Sequence, residues 1–145
     1  MRVDRLNSTI SERLMVIHVD ATPRAAALSL VRPGIGLVVV CHESGEAAGV
    51  LSKSDLIRHL AVSGSSPTTV ASLMSRPVVS CGLDDDLHSV WATMAAQGLQ
   101  NLPVLGADGR PLGILDIRDA MKALFEQEEF QERLLTSYIA GIGYQ

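Results

Sequence analysis

Two stretches of this chain carry residue types that could hold a ligand: Gly49-Val50-Leu51-Ser52-Lys53-Ser54-Asp55 and Gly113-Ile114-Leu115-Asp116-Ile117-Arg118-Asp119. In each, an apolar run that reads as a strand leads into the start of a helix, and an aspartate stands on the first turn. A carboxylate has two oxygens and can accept hydrogen bonds from both hydroxyls of a cis-diol. The helix N-terminus beside it offers unpaired backbone N–H groups and a partial positive charge, which favour a phosphate. The same spacing also serves structure alone. Ser52-x-x-Asp55 and Asp116-x-x-Asp119 read as capping boxes, in which the side chains satisfy helix N–H groups. The two roles are compatible, and the recurrence of the motif beside the same glycine and strand favours a ligand role.

Other chemistries find little support. His18, His42, His59 and His88 lack metal-ligand spacing, and Gly34-Ile35-Gly36 lacks the third glycine and helix of a dinucleotide fingerprint. There is no phosphate loop ending in Gly-Lys-Ser/Thr and no Gly-x-Ser-x-Gly nucleophile elbow. Asp84-Asp85-Asp86 reads as a loop and a helix cap. The expectation is a protein without catalysis, metal or required cofactor.

The elements that must position the two motifs are themselves duplicated. Residues 18–60 align with 82–124 at a constant offset of 64 without a gap, and eight of the 43 pairs are identical, among them Gly34/Gly98, Gly45/Gly109, Gly49/Gly113 and Asp55/Asp119. Such self-similarity points to two copies of one unit packed together. Each half reads strand, helix, strand, turn, strand, helix. In the second, Pro77–Cys81 is the expected first strand, Asp86 caps a helix with apolar residues Leu87, Val90, Trp91, Met94 and Ala95, and Gly98 ends it. Strands Leu102–Leu105 and Leu112–Leu115 flank a turn, and a helix with Ala120, Met121, Leu124 and Phe125 on one face follows. In the first half the corresponding pieces are strand Leu14–Val19, a helix capped by Thr22 and opened by Pro23, strands Leu37–Cys41 and Ala47–Leu51, and a helix presenting Leu56, Ile57, Leu60 and Ala61. Residues 62–67 form a short linker, and 126–139 an added amphipathic helix with an apolar, glycine-rich tail.

With 47% hydrophobic residues the chain can bury one ordinary core, and no run reaches the roughly 18 apolar residues of a membrane span. A net charge of −4 with dispersed Lys and Arg argues against a nucleic-acid partner. Cys41 and Cys81 lie in or beside apolar runs and read as buried free thiols. These features give a cytoplasmic protein, with no nucleic acid and no membrane among its partners.

The start Leu73-Met74-Ser75-Arg76-Pro77-Val78-Val79, the strand Leu102-Pro103-Val104 and the duplicated Gly-h-h-(Ser/Thr)-x-x-Asp pattern, with h apolar, together resemble the cystathionine-β-synthase (CBS) domain family over about residues 6–125. The resemblance implies an α/β tandem of CBS repeats, β-α-β-β-α twice with pseudo-two-fold symmetry, often called a Bateman module. Here it gives repeat 1 at 6–64, repeat 2 at 69–125 and a C-terminal helix and tail at 126–145. It further implies adenosyl ligands (AMP, ADP, ATP, S-adenosylmethionine or NAD type) in clefts between the repeats, a homodimer, and a regulatory role toward a protein whose identity the sequence leaves unknown. Carried over residue by residue, Asp55 and Asp119 become ribose acceptors, Ser52 and Ser54 hydroxyl contacts, and Lys53 a neighbouring cation. Arg76, Pro77, Val78, Val79 and Ser80 with Leu102, Pro103 and Val104 become the adenine wall of the second site. This chain departs from the family at three places. Asp116 stands where a hydroxyl is usual, offset by Arg118; Gly36-Leu37 and Gln100-Asn101 lack the basic residue many relatives carry; and Arg13 occupies the position matched by Pro77. The first cleft is therefore expected to accept a phosphate better than the second. The competing expectation is a constitutive scaffold with vestigial clefts, in which the C-terminal tail makes the contacts.

Overall fold

The computed structural model describes residues 1–63 and 68–143. The expected linker falls mostly on residues 64–67, outside the described residues, as do the last two residues of the tail. Ten elements follow in order: α1 (Asn7–Glu12), β1 (Val16–His18), α2 (Pro23–Leu30), β2 (Leu37–Cys41), β3 (Ala47–Ser52), α3 (Lys53–Ser63), α4 (Leu87–Gln97), β4 (Asn101–Leu105), β5 (Pro111–Asp116) and α5 (Ile117–Gly143). Short 3₁₀ turns at Val3–Leu6 and Val70–Ser72 lead into the two halves.

In the first half β2 is central, parallel to β1 and antiparallel to β3; in the second β4 and β5 form an antiparallel pair. The register slips by one residue at Val40/Cys41 and again at Val104/Leu105, the same position of the repeat. All of β2 is buried. Val38 and Val40 face Ala26, Leu30 and Leu51 of their own half, while Leu37, Val39 and Cys41 pack against Ile114 of the other. A strand covered on both faces explains the unbroken Leu-Val-Val-Val-Cys run. The caps work as read: Thr22 Oγ1 accepts from Ala25 N–H, Asp86 from Ser89 N–H, and Gly98 closes α4 in the left-handed region at φ +69°.

Three expectations are corrected. Pro77–Cys81 forms no strand; only Cys81 bridges to Val104. In the first half Val39 N–H donates to Met15 O, and at the matching position Pro103 has no N–H to give to Val79, so the ladder stops. On α3, Leu56 and His59 turn inward, whereas Ile57 and Leu60 are exposed. Finally, α5 runs unbroken for 27 residues, about 40 Å, so the added helix at 126–139 is a continuation of the last repeat helix. Both cysteines are free and buried, and burial pushes the Cys81 thiol up to about 12.

The packing of the lead-in segments has no counterpart among the sequence expectations. Val3 and Ile10, from the N-terminus, are fully buried in the core of the second half with Leu87, Met94, Val104 and Leu115. Val70, which precedes the second half, is fully buried in the core of the first. The two segments make the same backbone bonds: Val3 N–H to Asp85 O and Asp4 N–H to Leu83 O, matched by Val70 N–H to Ala21 O and Ala71 N–H to Val19 O.

Each segment crosses the opposite sheet at the duplicated glycine. A Cβ on Gly113 would stand 2.6 Å from Ile10 O, and one on Gly49 2.9 Å from Ser75 O and 2.6 Å from Met74 Sδ. Since backbone cannot yield cheaply, Gly113→Ala is expected to destabilise the protein by about 1–3 kcal/mol, with Gly49→Ala in the same range. Gly82→Ala, where the nearest atom is 3.9 Å away, should change stability by no more than about 0.5 kcal/mol. Urea denaturation of the three variants measures the difference.

Candidate functional site

The β3–α3 junction is a capping box. Ser52 N–H donates to Asp55 Oδ2 at 2.9 Å, the Ser52 hydroxyl donates to the same oxygen at 3.1 Å, and Asp55 N–H returns a bond to Ser52 Oγ at 3.3 Å. Asp55 is held nearly buried. Among the described residues its other oxygen, Oδ1, meets only Arg58 of the same helix, 3.5 Å away and largely in solvent.

The β5–α5 junction has the same backbone course and different chemistry. Asp116 Oδ1 accepts from Arg118 N–H at 2.8 Å and Nε at 3.1 Å, and Oδ2 from Arg118 Nη2 at 2.8 Å. Burial alone would push this carboxyl up; the Arg118 guanidinium and backbone N–H outweigh it and hold Asp116 below the ordinary carboxylate value. Asp119 does not fold back onto residue 116 as Asp55 does onto Ser52. Arg13, at the C-terminus of α1, reaches it instead: Nε to Oδ2 at 2.5 Å and Nη2 to Oδ1 at 3.1 Å, while Nη1 donates to Gly34 O at 2.7 Å. Arg13 Nη1 is also 4.0 Å from Asp116 Oδ2. The hydrogen bonds it donates to Asp119, with the charges of Asp119 and Asp116, raise the Arg13 pKa above its usual value.

Between the junctions lies a cavity of about 570 Å³, lined by residues 34–37 of the first half, 98–101 of the second, and Ser52, Lys53, Ser54, Asp116 and Arg118. Its two walls are related by the sequence offset of 64, so the cavity sits where the two copies face each other. The N-termini of α3 and α5 both border it. Its apolar lining comes from Ile35, Leu37 and Leu99. Asp55 lies on the far side of the Ser52–Asp55 turn and lines a smaller cavity of about 290 Å³ with Arg58, His59 and Leu73.

Of the residues singled out from sequence, Ser52, Lys53, Ser54, Asp116 and Arg118 meet in the central cavity, Asp55 lines the smaller one, and Asp119, bound by Arg13, lines neither. Arg76, Pro77, Val79 and Ser80 are exposed and Val78 is half-buried; none of these lines the cavity. Leu102 and Val104 are committed to the core of the second half, and Pro103 is buried beside them. Two groups were missed. Residues 34–36 and 98–100 read as helix ends and strand starts and, at Gly36 and Gln100, as positions without the basic residue of relatives, not as facing walls of one cavity, and Arg13 reads only as a mismatch with Pro77. That mismatch was the signal for its role. Among the described residues no three His, Cys, Asp or Glu gather as metal ligands, and no helix is long and apolar enough to cross a membrane.

Comparison with known proteins agrees with this architecture. A curated relative, an uncharacterized protein of Methanopyrus kandleri, is 30% identical over 111 residues, 70% of this chain; the match spans 57% of the relative's length. The fold superposes on a CBS domain pair crystallised with 5′-methylthioadenosine and S-adenosyl-L-methionine, with a TM-score of 0.74 at 21% identity, covering 88% of this chain and 98% of that one. It also superposes on a CBS domain protein of Pyrobaculum aerophilum complexed with AMP, with a TM-score of 0.71 at 21% identity, covering 82% and 89% of the two chains. The family model of the CBS domain matches twice, at residues 6–62 and 70–126, one match to each half of the offset-64 repeat. Duplicated sequence, duplicated junctions and duplicated family match agree that this chain belongs to the CBS domain family, as a tandem pair extended by a C-terminal helix.

Proposed function

We propose that this chain is a regulatory module that binds an adenosine-containing ligand between its two repeats and performs no chemistry on it. The observation that carries the reading is the Ser52–Asp55 turn with a cavity on either side: about 570 Å³ where matching positions of the two copies face each other, in the range of small-molecule sites, and about 290 Å³ on the Asp55 side. Two structural neighbours are complexes with adenosine compounds, which supports the ligand class. The adenine ring would lie beside Leu73, in the smaller cavity of about 290 Å³ that Asp55 lines. The ribose diol would be held by Asp55 through Oδ1, the oxygen left outside the capping box. A phosphate would be met by Ser52, Ser54, Lys53 and the free N–H groups of α3. Occupancy would shift the balance between two arrangements of the repeats only as far as the ligand binds them unequally, and a second protein would read the difference.

A second copy of the chain is part of this proposal. Ile57 and Leu60 on α3 and Met121 and Phe125 on α5, at matching or near-matching repeat positions, are 49–67% exposed, as are Leu28 and Val31 beside them at 60% and 74%. Such an apolar surface on two helices suits a helical dimer face. One observation favours the scaffold alternative: Phe130, Leu134, Leu135 and Ile139 on the distal half of α5 are also exposed, 55–60%. A dimer lost only on deletion of residues 126–145, by a protein that retains no adenosyl compound, would establish that alternative.

Two outcomes are expected. In calorimetric titrations with AMP, ATP and S-adenosylmethionine, Asp55→Asn keeps a cap acceptor but loses the charge, and should weaken binding about 10–100-fold, the worth of a hydrogen bond to a charged group. Equal affinity in wild type and variant, with none of the three retained in native mass spectrometry, would sink the ligand reading. In sedimentation velocity, Ile57→Asp combined with Met121→Asp should convert dimer to monomer with unchanged circular dichroism; an unchanged dimer would move the interface elsewhere.

A further inference from the structure

We infer that Arg13 acts as a built-in occupant of the second cleft: its guanidinium fills the place at Asp119 that a ribose diol would take, so each chain holds one adenosyl ligand, on the Asp55 side. This rests on the reading of Asp55 as a diol acceptor and goes beyond it by separating two sites that the repeat makes equivalent.

The two aspartates occupy matching positions of the repeat, so their surroundings can be compared directly. Asp55 Oδ2 is used by the capping box, and Oδ1 has one loose partner, an exposed arginine of its own helix at 3.5 Å. Asp119 has both oxygens taken at once by the Nε and Nη2 edge of Arg13. That is the fork-to-fork geometry in which a guanidinium binds a carboxylate best, and the donor here carries a charge that a hydroxyl does not bring. The pair is also sheltered, with side chains 23% and 19% exposed, so solvent screens it little. A diol entering there would have to replace two bonds charged on both sides with two charged only at the acceptor, and so give up the ion-pair attraction. It would also strand a half-buried arginine, a heavier loss than the diol repays.

The latch is asymmetric by sequence. The residue matching Arg13 in the second half is Pro77, which has no donor in its side chain or at its backbone nitrogen, so the matching position cannot bridge to Asp55. Arg13 is fixed from a third direction by Gly34 O, at the end of the segment that forms one wall of the central cavity. A single side chain therefore ties the lead-in segment, the α2–β2 loop and the start of α5, and it does so only on the side of the second cleft.

The test counts ligands. With AMP and, separately, S-adenosylmethionine as probes, calorimetry and native mass spectrometry on the whole chain should find about one molecule bound per wild-type chain at saturation and about two in Arg13→Ala. In Arg13→Ala/Asp119→Ala the count should return to about one, the added site weakening about tenfold or more, since its charged acceptor is gone. Two molecules per wild-type chain would overturn the latch and leave the proposed function standing. A count of one in Arg13→Ala, when that variant melts as cooperatively as wild type, would also overturn the latch alone. No binding by either protein would overturn both. If Arg13→Ala does not fold, the wild-type count still decides, because it needs no variant.

Discussion

The structure depends on an exchange: each half of the chain is completed by the segment that leads into the other. Neither half has a whole core without it. Val3 and Ile10 are fully buried among second-half residues, and Val70 among first-half residues, so the halves cannot separate without opening both cores. A half of about 60 residues buries too small a share of its surface to be secure alone, and reciprocal crossing removes that weakness. The crossing also explains why Gly49 and Gly113 are identical in the two copies. Each is the point where foreign backbone lies against the sheet at a distance that leaves no room for a Cβ.

From this exchange follows the geometry of the site. The N-terminal segment must run over β5 to bury Ile10, and this brings its end, Arg13, to the start of α5. There it meets Asp119 and borders Asp116. The reciprocal segment brings Met74 and Ser75 to the start of α3 and continues with Arg76-Pro77, which offers Asp55 no such partner. A fold with near two-fold symmetry thus carries a charge arrangement without it. In the second half three acidic and basic side chains, Asp116, Asp119 and Arg13, are bound to one another or to Arg118. In the first, Lys53 makes no ion pair among the described residues and remains available to an incoming anion. The electrostatic cost of burying Asp116 is offset locally by Arg118, which is why its pKa falls although burial acts the other way.

The two faces of each repeat divide the work. The strands carry the internal contacts, with β2 buried on both sides, while the outward faces of α3 and α5 keep large apolar residues in solvent. A module of this kind can couple a ligand to a partner because the cavity lies where the halves meet, and any shift between them moves the helices that begin at its edge.

Much of this was legible in the chain itself. The 64-residue offset, the glycines, the caps at Thr22 and Asp86 and the helix starts at Ser52–Asp55 and Asp116–Asp119 are local signals, set by backbone geometry and by hydrogen bonds within a few residues. They determined the family, the order of elements and which polar groups stand at helix starts. Signals that depend on distant partners were not legible. The strand expected at Pro77–Cys81 failed because its neighbour in space, Pro103, has no N–H to donate. The apolar faces of α3 and α5 could not be divided into buried and exposed sides from periodicity alone. Residues Met1–Ser11 carry no apolar stretch, yet Val3 and Ile10 supply part of the second core. Only the tertiary structure decided that Asp119 is bound by Arg13 while Asp55 keeps to its own capping box, because the deciding contact joins residues 106 positions apart through a crossing that leaves no periodic trace in the sequence.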